Sequence, residues 1–189
     1  IKHEISAMTE QGFWDIINSS LVQHPSGSEG QYQEIAQALA SLPEEELIQF
    51  ENHLAKQKHN AFSFPVLMAN FILQSYINDD IFEDFRLWLI SFGQEKFSAI
   101  LDNADNLASF SNVKDPIEDI TGEGLVFAAQ EAYEAITGKE DFLKRVQTLQ
   151  NPEIDYSWPD DIEALERMLP NLFSKYWDSN RTYELGPME

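Results

Sequence analysis

The 189-residue chain has no cysteine. That excludes a disulfide scaffold, cysteine-ligated zinc, iron–sulfur clusters and a thiol nucleophile. Cations are scarce: 12 Lys plus Arg stand against 33 Asp plus Glu, a formal net charge of −21. Nucleic-acid affinity draws on cations that displace counterions from phosphates, so nucleic acid is not an expected partner. Anionic lipid surfaces repel the chain for the same reason, and no membrane partner is expected. No stretch approaches the ~20 apolar residues needed to span a bilayer. The longest apolar-leaning run, residues 62–77, is interrupted by Ser63, Pro65, Asn70 and Gln74.

Chemical signatures are missing too. Beyond His3, the histidines are His24, His53 and His59, and the last two, six apart, do not share a helix face as metal ligands four apart would. The Asp-rich calcium loop with its central glycine does not occur. Ser111-Asn112-Val113-Lys114 matches S-x-x-K in letters, but in a polar stretch without its companion motifs. No catalytic residue, metal site or cofactor is therefore assigned, and an enzymatic activity has no support in the residues.

What is present is a core. Hydrophobic residues make up 43% of the chain and aromatics 12%, including 13 Phe and 4 Trp, which suits one folded domain rather than an acidic disordered tail. Ile1 to Ala7 precede Met8 and read as a cloning remnant. Residues 8–178 are expected to form a single helical domain, and 179–189 a frayed tail. Without cysteine or a signal-peptide pattern, a cytoplasmic protein is the expectation.

The pattern is helical almost throughout. Thr9 is placed to cap a helix over about 10–22 that buries Phe13, Ile16, Ile17 and Leu21. A second runs over about 29–42. Pro43 opens a third, whose Glu44, Glu45 and Glu46 meet the positive end of the helix dipole while Lys56, Lys58 and His59 meet the negative end. The helix beginning at Pro65 is apolar nearly all round and so expected at the centre. Asn78-Asp79-Asp80 ends it and caps the next, 81–92, which Gly93 stops. Short helical pieces through Phe97–Leu101 and at Leu107, a loop over 111–120 and a long helix over 124–136 follow. Residues 139–157 are ambiguous. A last helix opens at Asp160 and Asp161 and is interrupted by Pro170. No alternating strand pattern persists. The expectation is an all-α, irregular bundle of about 7–9 helices.

Several motifs resemble one family. They are Phe13-Trp14, Leu42-Pro43-x-Glu45-Glu46-Leu47-x-x-Phe50 and Asp79-Asp80-x-Phe82-x-x-Phe85-Arg86-x-Trp88-Leu89-Ile90-x-x-Gly93, followed by Leu107, Glu131-Ala132-Tyr133-Glu134-x-x-Thr137-Gly138 and the stretch from Asp161 through Leu172. Together these resemble the bacterial domain of unknown function 4240 over about residues 8–175. Ile81 stands where the family pattern leads one to expect glycine. The resemblance implies a helical single domain and no particular activity.

The block from Asp79 to Trp88 is the leading candidate site. On one reading Asp79, Asp80, Glu83 and Asp84 make an acidic pocket beside Arg86 and a stacking Trp88, fit for a cationic or polar ligand. On the other, the acids serve the helix start and Arg86 forms a buried pair with a carboxylate that fixes helix orientation. Trp158 with Asp160 and Asp161, and Tyr176-Trp177, lie in weakly periodic acidic regions, the composition of an aromatic anchor with a charged rim. Two function classes follow. The first is an acidic protein-binding domain, most concretely an immunity protein or inhibitor that neutralises a basic toxin or enzyme by occlusion. The alternative is a helical ligand-binding or enzymatic domain using the Asp79–Trp88 block.

Overall fold

Thr9 caps α1 (Glu10–Ser20), its hydroxyl accepting from Gly12 N at 3.0 Å. The same device recurs through the computed structural model, which describes residues 8–157 and 161–189. Ser28 caps α2 (Glu29–Ala40), Ser63 caps α4 (Phe64–Gln74) and Asn78 caps α5 (Asp79–Ile90), each accepting from the third helical N–H. Between them α3 (Glu44–Asn60) starts at Pro43 without a side-chain cap. Three glutamates lie in its first turn and Lys58 and His59 in its last, matching its dipole at both ends.

The apolar helix is the centre of the fold. Every residue of α4 from Val66 to Leu73 is buried, so this helix has no solvent face. Neighbours α5 and α12 (Pro170–Tyr176) pack on it. Around the other side α1, α2 and α3 pack with α9 (Ala128–Thr137), and Phe13 touches both Trp14 and Phe50 with ring centroids 5.0 Å apart. After α5, Gly93 at φ +89 turns the chain into α6 (Gln94–Asp102). A 3-10 turn, Ala104–Asn106, then leads into α7 (Leu107–Phe110).

The all-α expectation holds. Nine helices of seven residues or more lie among the described residues, and three single turns bring the number above the expected range. The 124–136 helix is the clearest difference. It breaks at Phe127 into α8 (Glu123–Val126) and α9, because α8 seats Gly124 against the Tyr32 ring while α9 runs along α2 and α3. The change of direction leaves Phe127 56% exposed. Only α10 (Phe142–Arg145) forms within 139–157. Pro170 separates α11 (Ile162–Met168) from α12 as anticipated.

The end of the chain departs from expectation. Residues expected to fray instead form β2 (Glu184–Leu185), which pairs parallel with β1 (Tyr76–Ile77), Tyr76 opposite Glu184 and Ile77 opposite Leu185. Ser75, at φ +61, turns the chain out of α4 into that pairing. Trp177 stacks between Phe173 and Tyr183, with centroids 4.8 and 3.6 Å away, and Phe71 of α4 lies against the Tyr183 ring at 5.6 Å. The expected remnant, 1–7, lies outside the described residues.

Candidate functional site

Helical periodicity places Glu51, Ala55 and Lys58 on one face of α3, at i, i+4 and i+7. Glu83 and Arg86, three apart on α5, face them across the α3–α5 contact. The third wall is the extended segment after α10, residues 146–151. Gln147 N donates to Asn52 Oδ1 at 2.7 Å and fixes that segment on α3. Two residues earlier, Arg145 pairs with Glu44 and Glu45 at the start of the same helix. The cavity between these walls measures about 250 Å³, and His59 completes its lining.

Its charges are unevenly matched. Lys58 Nζ donates to Glu83 Oε1 at 2.8 Å. Burial alone would raise the Glu83 pKa, but the hydrogen bond and charge of Lys58, with Arg86 nearby, outweigh it and hold the carboxyl below its ordinary value. Glu51 has no such help. Its Oε2 is buried without a hydrogen-bonding partner among the described residues. Burial pushes its pKa up from 4.5 to about 7; Lys58 opposes the shift and Glu83 adds to it. The cavity thus holds a carboxyl that titrates near neutrality beside one that stays ionised.

Arg86 sits at the base of this arrangement, 5% exposed. Its Nη1 donates to Lys58 O at 3.0 Å and its Nε to Phe82 O at 3.3 Å. Lys58 O is one of the last carbonyls of α3, so the guanidinium ties α5 to the negative end of α3. The rings of Phe62 and Phe82 lie 4.8 and 4.7 Å from its central carbon. Burial lowers its pKa to about 10, against the opposing charges of Glu83 and Asp79. The buried arginine–carboxylate pair expected here is therefore an arginine–carbonyl clasp, with Glu83 bonded to Lys58 instead. Arg86→Met keeps the bulk and loses the donors, so a cost of about 1–2 kcal/mol is expected by chemical denaturation. A cost above about 4 kcal/mol would mean that the clasp alone holds the two helices together.

The rest of the Asp79–Trp88 block points elsewhere. Asp79 accepts from Glu189 N at 2.7 Å and its own N–H donates to Pro187 O, so it anchors the chain end. Asp80 is exposed; with Glu83 and Asp84 it lines a hollow beside Thr121, Glu123 and Val126, and with Asp84 a second one near Ile117 and Ile120. Asp84 accepts from Gly122 N at 2.8 Å. Burial raises its pKa, that backbone bond opposes the shift, and Glu123 and Glu83 add to it. Trp88 is 2% exposed and packs against Phe85 and Phe92. It is a core residue and has no free face on which a ligand could stack.

The C-terminal candidates are likewise engaged internally. Tyr176 Oη bonds Ser111 Oγ at 2.7 Å, and Trp177 lies in the Phe173–Tyr183 stack. Asp161 caps α11 by accepting from Ala164 N at 3.0 Å. Trp158 and Asp160 lie outside the described residues.

Sequence reasoning found Glu83 and Arg86 and missed Glu51. The one available signal was its place on the Ala55–Lys58 face, where alanine leaves room beside two charged side chains. The described residues contain no group of three or more His, Asp or Glu side chains able to hold a metal, and no helix among them is long and apolar enough to cross a membrane. Comparison with curated proteins and with solved structures returns no match. A family model described as "Protein of unknown function (DUF4240)" matches residues 8–135, which include α3, α5 and four of the charged residues of the cavity, Glu51, Lys58, Glu83 and Arg86.

Proposed function

The chain belongs to the DUF4240 family, and from that premise we propose that it is an acidic protein-binding domain that captures a basic partner. In its most concrete form it is an immunity protein or inhibitor that occludes the cationic working surface of a toxin or enzyme in the cytoplasm. The observation that carries this reading is how little of the negative charge is used internally. Among the described residues, ion pairs within 4.0 Å engage Glu10, Glu44, Glu45, Glu83, Glu163 and Asp178, out of 33 acidic residues in the chain. Some of the others are engaged inside the fold, Glu51, Asp79, Asp84 and Asp105 among them, but most lie at the surface, where their field attracts cationic proteins and speeds their encounter.

A genomic neighbour of the gene that encodes a basic protein supplies the test partner. Exposed charges are screened beyond about 10 Å at 0.1 M salt, so the association rate should fall at least about tenfold between low and 0.5 M salt. An on-rate indifferent to salt would remove the basis for capture by charge.

The alternative, a ligand-binding or enzymatic domain built on the Asp79–Trp88 block, is favoured by one observation. Glu83 and Arg86 from that block border a cavity with a carboxyl that titrates near neutrality. Loss of a measured small-molecule activity in Arg86→Met at a temperature where melting curves show the variant fully folded would favour this alternative.

A further inference from the structure

We propose that the cavity between α3 and α5 is a socket for a single cationic side chain, a lysine or an arginine, presented by a basic protein partner. It rests on the capture reading and gives that reading a location. The lining sets two carboxylates beside Lys58 and Arg86, yet leaves one carboxylate oxygen without a donor. Glu51 Oε2 is buried there without a partner among the described residues, although Lys58 is on the same helix face. Among the described residues the Lys58 ammonium bonds Glu83 at 2.8 Å and does not reach Glu51 Oε2. Arg86 donates through Nη1 to Lys58 O and through Nε to Phe82 O, and none of its N–H groups reaches Glu51 Oε2. His59 is the other titratable group in the lining; the segment 146–151 contributes none.

Size and wall chemistry suit one long side chain. A volume of about 250 Å³ holds a lysine or arginine but not a nucleotide. Ala55, Val146 and Leu149 offer apolar surface to the methylene stem, as such side chains prefer, with the charged head directed at Glu51. Lys58 and Glu83 are 22% and 45% exposed, which leaves the cavity open to solvent between them.

Cationic and anionic occupants differ in the sign of their pH dependence. A cation beside Glu51 favours its ionised form, so binding below pH 7 expels a proton and weakens up to about tenfold per pH unit on acidification. An anion or carbonyl oxygen would need the protonated carboxyl as donor and would bind more tightly on acidification.

The test uses the full chain with N-acetyl-arginine amide as probe and its uncharged citrulline analogue as control, followed by the Glu51 carboxyl carbon resonance. Saturating arginine probe should move the Glu51 titration midpoint down by about one pH unit or more, with the citrulline analogue leaving it in place. Affinity at pH 5.5 should be at least about tenfold weaker than at pH 8. At pH 8 Glu51→Gln should bind at least about tenfold more weakly and lose the pH dependence, while Glu166→Gln on exposed α11 stays within about twofold. Melting curves establish that each variant is folded, and the wild-type titration stands without them. Tighter binding on acidification, an unmoved Glu51 midpoint, or Glu51→Gln behaving as wild type would each overturn the socket. Any of these results together with salt-dependent capture of a basic partner would place capture elsewhere on the molecule. Loss of the salt dependence itself would instead overturn the capture reading.

Discussion

Gly122→Ala should be the most damaging single substitution at a position outside the hydrophobic core, with a cost of about 3–4 kcal/mol. A β-carbon at this position would lie 2.4 Å from Leu87 Cβ, 2.6 Å from Asp84 O and 2.9 Å from Trp88 N. Two of these atoms are backbone of α5 and cannot swing aside. The glycine is pressed there because its N–H donates to Asp84 and its carbonyl receives Leu125 N at 2.9 Å, seating the start of α8 on α5. Relief of the clash would require the whole loop to lift, breaking both bonds. A melting temperature lowered by roughly 8–15 °C is expected for a chain of this size. Gly138 makes a useful contrast. Its Cβ would meet nothing within 4 Å, but its φ of +67 is left-handed, so Gly138→Ala should cost only about 1 kcal/mol. Similar melting temperatures for the two variants would show that α8 does not need its close seat.

Glu51 should make the protein less stable as pH rises from 4.5 to 7, by about 3 kcal/mol relative to Glu51→Gln. The direction follows from proton counting. The folded pKa of about 7 lies above the ordinary value of 4.5, so within this window the folded chain holds a proton that the unfolded chain releases. The stabilisation from holding it is complete below about pH 4.5 and lost as pH passes 7. Glutamine keeps the shape of the protonated acid and does not titrate. The variant should match the wild type at pH 4.5 and exceed it at pH 8, by about 6–12 °C in melting temperature. Referring wild type to variant cancels the many exposed carboxylates common to both. Parallel stability curves across this range would place Glu51 in a solvated setting and remove the buried acid from the cavity.

The candidate site was half visible in the sequence. Asp79 to Trp88 stood out because an acidic pair, an arginine and a tryptophan share one predicted helix, and two of its members, Glu83 and Arg86, do border the cavity. Periodicity gives the angle of each residue around α5 but not what lies opposite that angle. Trp88 therefore carried the same signal as Arg86, although it faces Phe85 and Phe92 in the core. Glu51 left no local mark, since a glutamate on an acidic helix is ordinary. It becomes unusual only where α5 and residues 146–151 cover it and exclude the water that would keep it ionised.

Asp105 carries the same lesson. It closely follows α6 in the chain, yet its carboxylate accepts from Leu172 N at 2.8 Å and from Asn171 Nδ2 at 2.7 Å, capping a helix that begins 65 positions later at Pro170.

By itself the sequence determined the all-α class, the caps at Thr9 and Asn78, the breaks at Gly93, Gly138 and Pro170, and the central place of α4. Each of these depends on interactions within a few residues of chain, between a side chain and the nearest N–H or from one helical turn to the next. Only the tertiary structure decided that the last residues pair with Tyr76–Ile77, that the helix over 124–136 breaks at Phe127, and that one carboxylate oxygen of Glu51 is buried without a partner beside Lys58 and Glu83. Those outcomes depend on which surfaces meet, and the free energy of bringing distant segments together is written in no single stretch of chain.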